Sequence, residues 1–133
     1  MKDLTIGALA RAAGINVETI RFYERRGLIR RPPRPAEGYR KYPADTVQRV
    51  RFIKKAQGLG FSLREIQELL SLGSGPQADC AEVLALTRRK ITEVEAKIRS
   101  LERIREALAE LAGHCPGKGS LSFCPIWERL EEE

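Results

Sequence analysis

Between Cys80 and Ala112 the chain runs for 33 residues without a glycine or a proline. Apolar residues recur through it at Leu84, Ile91, Val94, Ile98, Leu101, Ile104, Leu108 and Leu111, with steps of three and four from Ile91 onward. Glu, Lys and Arg flank that seam, the pattern of a coiled-coil helix. The step from Leu101 through Ile104 to Leu108 departs from a strict heptad, so the supercoil need not be regular. At 1.5 Å of rise per residue the predicted helix is about 50 Å long. One helix cannot bury its own seam. It requires a partner, most simply its own copy in a homodimer.

In a chain of 133 residues that helix leaves little scope for one large core, so a small domain on either side is expected. Residues 1–75 carry 15 basic and 7 acidic side chains, and residues 76–133 carry 9 and 11. The overall charge of +6 is therefore an average over a strongly basic front and a slightly acidic back. Segregation of this kind is the electrostatic footprint of a nucleic-acid-binding module joined to a second module. The apolar runs fall short of a membrane span, and the start of the chain has no apolar signal core, so the cytoplasm is the expected compartment. One histidine, no catalytic constellation and no phosphate-cradling glycine loop argue against an enzyme.

Thr5 can cap a first helix, Gly14 breaks it, and Asn16 can cap a second from Val17 to Arg26. Two short helices around a glycine turn read as helix-turn-helix. The following stretch, LIRRPPRPAEGYRKYP, reads as a basic wing. Its prolines exclude a helix interior, and Glu37-Gly38 suits a turn between extended pieces at Leu28-Ile29 and Tyr39 to Tyr42. Arg30, Arg31, Arg34, Arg40 and Lys41 crowd this loop together with two tyrosines that are expected to be exposed, a set suited to phosphate and sugar contacts. A third helix is expected from Pro43 to about Leu59, and Ser62 with Glu65 forms the capping box of a fourth. Gly73 to Pro76 reads as a linker.

Cys80, Cys115 and Cys124 are an odd number of thiols in a chain without an export signal, which favours metal or redox chemistry over a structural cross-link. Eight residues separate Cys115 and Cys124 around a Pro-Gly loop, and the two can close on one ion. Cys80 stands at the far end of the long helix, roughly 50 Å from Cys115 within one chain. In an antiparallel dimer, Cys80 of one chain meets Cys115 and Cys124 of the other, and symmetry makes two such sites. Three thiolates without a carboxylate cluster favour a soft cation. His114 could add a fourth ligand of the zinc type, or point elsewhere.

The runs LTIGALARAAGINVETIRFYERRGLI and EGYRKYPADTVQRVRFIKKAQGLGFSLREIQELL resemble the MerR family of metal- and drug-responsive transcription regulators. The resemblance spans essentially the whole chain. The three cysteines, with Cys124 followed by Pro-Ile, narrow it to the mercuric-ion sensors of that family, although lead and cadmium sensors also place cysteines at these positions. It implies a mainly α fold: a winged helix-turn-helix DNA-binding domain over 1–75, a linker and antiparallel coiled-coil dimerisation helix over 76–112, and a metal-binding loop with a short helix over 113–133. It implies a homodimer on double-stranded promoter DNA that represses without effector and, with Hg(II) bound, bends and untwists the duplex so that RNA polymerase can engage. Cys80, Cys115 and Cys124 match the metal ligands. Thr19, Arg21 and Tyr23 fall on the recognition helix, Arg21 toward a base edge and Tyr23 toward a phosphate. Tyr39 and Arg40 match the backbone-holding positions of the wing. Cd(II), Pb(II) or Zn(II) are the alternative effectors, and an effector-free architectural DNA binder is the alternative from another class.

Overall fold

The computed structural model describes residues 3–76 and 78–133. Helices α1 (Ile6–Ala13), α2 (Val17–Arg25), α3 (Thr46–Gly58), α4 (Leu63–Gly73), α5 (Cys80–Gly113) and α6 (Pro125–Glu131) follow one another, with a single 3-10 turn at Leu121–Phe123 ahead of α6. The chain divides into two compact units, one ending at Ala85 and the other comprising Leu86–Glu133. Among the described residues no helix is long and apolar enough to cross a membrane.

Three helices of the first unit begin at side-chain caps. Thr5 Oγ1 accepts from the Ala8 N–H at 3.2 Å to open α1, and Gly14, at φ +72°, closes it by donating to the Ala10 and Arg11 carbonyls. A left-handed residue here is what glycine supplies without steric cost. Two residues later Asn16 Oδ1 accepts from the Thr19 N–H at 2.8 Å and opens α2, so the turn between the helices is set by adjacent signals. Ser62 and Glu65 complete the capping box of α4 at 3.2 and 2.8 Å.

Helix α1 packs on α2 and α3, and α3 on α4. Their inward faces, Leu9, Ala10, Ala13, Ile20, Tyr23, Val50, Ile53, Ala56 and Ile66, enclose a core completed by Leu28, Ile29 and Tyr42 from the segment between α2 and α3. Cations of α3 close the ends of the helix-turn-helix. Arg51 and Lys54 donate to the Ala12 and Gly14 carbonyls at the C-terminus of α1 at 2.8 and 2.9 Å, and Arg49 Nε donates to the Leu28 carbonyl just beyond α2 at 2.8 Å. Positive charge at a helix C-terminus is favoured by the helix dipole as well as by the hydrogen bond.

The wing differs from its sequence reading. Tyr42 pairs with Leu4, through N–H to O distances of 2.8 and 2.7 Å, in an isolated antiparallel bridge, and no strand forms between Leu28-Ile29 and Tyr39 to Tyr42 among the described residues. Prolines 32, 33 and 35 lack the N–H a ladder requires. The loop is tied instead by Arg40 Nε donating to the Pro32 carbonyl at 3.0 Å. Tyr42, expected to be exposed, is 2% exposed and part of the core. Helix α3 starts at Thr46 rather than Pro43, because the Thr46 and Val47 N–H groups bond three residues back to Pro43 and Ala44 as a tight turn.

In the second unit, α5 is the long helix its sequence predicts. Leu84, at its start in the first unit, and Ile91, Val94, Ile98, Leu101, Ile104 and Leu108 are all exposed. Helix α6 packs against the 3-10 turn, and Pro125 occupies its first turn, where a missing N–H costs nothing.

Candidate functional site

The first unit presents a basic cleft of about 530 Å³ at the outer side of α2. Arg21 and Arg25 of α2 and Arg31, Arg34 and Arg40 of the wing line it, together with Ile6, Glu24 and Tyr42. Five guanidiniums around one carboxylate make a surface for an anion with several oxygens, as phosphates in a row provide. The Tyr42 hydroxyl donates to Glu24 Oε2 at 2.8 Å, fastening the wing to α2. Burial, followed by that hydrogen bond and the Glu24 charge, pushes the Tyr42 phenol up to about 12.

The residues singled out by sequence take different positions around this cleft. Arg21 is exposed on α2 and its guanidinium pairs with Glu18, one turn earlier, at 3.0 Å. Arg40 lines the same cleft from the wing. Thr19 is half-buried, and both its N–H and its hydroxyl donate to Asn16 Oδ1 at 2.8 Å, so it serves the start of α2. Tyr39 is 79% exposed. Tyr23 is 2% exposed. Its hydroxyl donates to Gln57 Oε1 of α3 at 2.7 Å, and burial raises its pKa. Its ring belongs to the core, which leaves only the hydroxyl for any outside contact.

Sequence reasoning left Arg25 and the tie between Glu24 and Tyr42 unassigned. Arg25 lies four residues after Arg21 on α2, a spacing that places both on one helical face. That spacing was the available signal. Nothing in the sequence pairs Glu24 with Tyr42, 18 positions away.

In the second unit the end of α5 turns back through the Leu111 and Ala112 carbonyls, which accept from the His114 and Cys115 N–H groups at 3.2 and 3.3 Å. The loop then returns so that Cys124 caps α6. This brings Cys115 Sγ and Cys124 Sγ within hydrogen-bonding reach at 3.9 Å, both half-buried and not joined in a disulfide. The N–H of Trp127 lowers the pKa of Cys124 most; desolvation opposes it, the N–H of Ile126 and the Cys115 thiol lower it further, and the Glu128 charge raises it slightly, with the net shift downward. Cys80 is exposed and is the first residue of α5. Among the described residues no three His, Cys, Asp or Glu side chains gather on one point. One chain thus brings together two of its three thiols. His114 is exposed and lines a separate 290 Å³ pocket with Glu110, Leu111, Pro125 and Arg129.

The description "MerR HTH family regulatory protein" matches residues 4–72, and "MerR, DNA binding" matches residues 47–111. The chain is 46% identical over all of its 133 residues, and 91% of the relative's length, to a mercuric resistance operon regulatory protein of Shigella flexneri. A dual-function regulator of Bacillus megaterium solved with mercury(II) matches at 40% identity and a TM-score of 0.74, covering 97% of this chain and 100% of that one. A regulator of Ralstonia metallidurans solved with lead(II) matches at 33% identity and a TM-score of 0.85, covering 96% and 98%. These matches, over a chain with a helix-turn-helix, an arginine-lined cleft and one long helix, place it in the MerR family of DNA-binding transcription regulators, which are not enzymes.

Proposed function

We propose that this chain is a mercuric-ion-responsive regulator of a mercury resistance operon, a homodimer that holds promoter DNA, represses without the ion and activates RNA polymerase with it. The observation that carries the reading is the pair of thiols 3.9 Å apart in the Cys115 to Cys124 loop. Two thiols side by side on one chain are two of the three donors of a soft-cation site. The third donor of the set, Cys80, is the first residue of a helix about 50 Å long whose seam is exposed. Antiparallel pairing of two such helices sets Cys80 of the partner subunit beside the loop. Hg(II) accepts low coordination numbers, so three thiolates suffice. The names of the relatives from Shigella flexneri and Bacillus megaterium support mercury. The lead-bound relative keeps Pb(II) as the second reading, with Cd(II) and Zn(II) behind it.

Residues 1–75 then form the DNA-binding domain, 76–112 the linker and dimerisation helix, and 113–133 the metal loop. Thr19, Arg21 and Tyr23 stand on the recognition helix, Arg21 toward a base edge and the Tyr23 hydroxyl toward a phosphate, while Tyr39 and Arg40 hold the backbone from the wing. Control works through deformation: the dimer stays on the promoter, and the ion shifts it toward a form that bends and untwists the duplex. The cytoplasm, where promoter and polymerase are found, is the compartment this requires.

The test mixes a Cys80→Ser chain with a Cys115→Ser chain. The mixed dimer keeps one complete site and should restore mercury uptake and reporter transcription, whereas each variant alone should show neither. No recovery in the mixture would overturn the shared site. A reporter response to lead or zinc without one to mercury would overturn the choice of ion.

A further inference from the structure

Cys115 and Cys124 belong to one compact unit, and each keeps a face open to solvent. Their sulfurs are 3.9 Å apart, and a disulfide needs about 2.0 Å, so a closure of about 2 Å shared by two side chains joins them. The connecting loop can absorb it. Gly117 and Gly119 sit at φ +79° and +107°, with no atom within 4 Å of where a side chain would begin.

We propose that Cys115 and Cys124 form a reversible intrachain dithiol/disulfide couple, closed by hydroperoxides and reopened by reducing dithiols. One thiolate attacks the peroxide, forming an S–O bond as the O–O bond breaks, and the departing oxygen takes a proton and leaves as water or an alcohol. The second thiolate attacks the sulfenic sulfur, the S–S bond forms, the S–O bond breaks, and hydroxide leaves as water on protonation. Two thiols lose two electrons and one peroxide gains them. A reducing dithiol reverses the step by exchange through a mixed disulfide and is itself oxidised. The consequence for sensing rests on the proposed metal site: the disulfide withdraws two of its three donors, so an oxidised chain is blind to the ion until reduced.

The full-length protein, reduced and freed of metal by a chelator, is exposed to a small excess of hydrogen peroxide and quenched at intervals with N-ethylmaleimide. The expected result is loss of two thiols per chain, with Cys80 still labelled and the peptides of Cys115 and Cys124 joined at a mass two hydrogens lower. The chain stays monomeric on a denaturing non-reducing gel, and dithiothreitol returns all three thiols. The Cys80→Ser variant should form the same Cys115–Cys124 disulfide, with dithiothreitol returning two thiols. In the Cys115→Ser variant the reaction should stop at a sulfenic acid on Cys124 that dimedone traps. Chain-to-chain disulfides, or oxidation of all three thiols at one rate, would overturn the couple. Equilibrium dialysis of mercuric ion separates the two readings. An internal disulfide with undiminished uptake sinks the metal site and leaves the couple standing, while inert thiols with normal uptake do the reverse.

Discussion

Single contacts decide how the basic front of the chain is used. Of its cations, Arg49, Arg51 and Lys54 are spent on backbone carbonyls at the ends of α1 and α2. No sequence pattern distinguishes them from Arg21 or Arg40, since the carbonyls they meet lie 21 to 40 positions away and become neighbours only once α3 packs. Tyr42 is a similar case: within a basic loop it reads as exposed, whereas the Leu4 bridge and the Glu24 carboxylate take it into the core. Its phenol is pushed up to about 12 from an ordinary value of 10, so the folded state holds the proton more tightly than the unfolded chain. The stabilisation is complete below pH 10, where both states are protonated, and is lost as pH rises toward 12. The stability lost across that alkaline window is on the order of 3 kcal/mol. Tyr42→Phe should therefore remove the part of the alkaline destabilisation that falls in this window. At neutral pH it should cost about 1 kcal/mol, the worth of one hydrogen bond to a carboxylate partly offset by the apolar ring that remains. Urea melts of wild type and variant at several pH values check this, and identical alkaline curves would rule out the raised phenol pKa.

At the level of elements, legibility follows how local the signal is. The caps Thr5, Asn16 and Ser62 each act within three residues, and α1, α2 and α4 begin where those residues stand. Helix α5 was legible because its period repeats over its whole length and nothing interrupts it. The wing was not, because its pairing depends on which strand edge lies nearby after packing, and Leu4 supplies that edge in place of Leu28-Ile29. In the thiol loop, the spacing of Cys115 and Cys124 foretold an approach, while the 3.9 Å separation depends on the turn at Leu121–Phe123 and on Cys124 capping α6. Capping also gives a measurable consequence. Ser62→Ala removes one half of the capping box, leaves the Glu65 N–H without its acceptor, and should lower stability by about 1 kcal/mol. Ser62→Asp should keep most of it. A denaturation midpoint that falls equally for both variants would mean the box does not hold α4.

Across the whole molecule, charge and apolar surface are segregated by function. The basic excess of residues 1–75 gathers in part around one cleft between α2 and the wing, and the exposed seam runs along α5. A protein that neutralises about six phosphates should lose on the order of 10³ in affinity between roughly 50 and 200 mM salt. On the proposed reading, the arginines lining the cleft produce this slope, and the cations of α3 bound to carbonyls of α1 do not. Arg40→Ala should weaken every DNA sequence alike and reduce the slope by about one for each phosphate no longer neutralised, and Arg21→Ala should in addition relax discrimination between the operator and unrelated duplexes. Arg51→Met and Lys54→Met, whose cations face carbonyls of α1, should instead lower the melting temperature of the free protein while leaving the slope nearly unchanged. Fluorescence anisotropy with an operator duplex across a salt series measures all four. If Lys54→Met flattened the slope as much as Arg40→Ala did, the cations of α3 would lie on the duplex, and the cleft lined by Arg21, Arg25, Arg31, Arg34 and Arg40 would not be the surface that grips it.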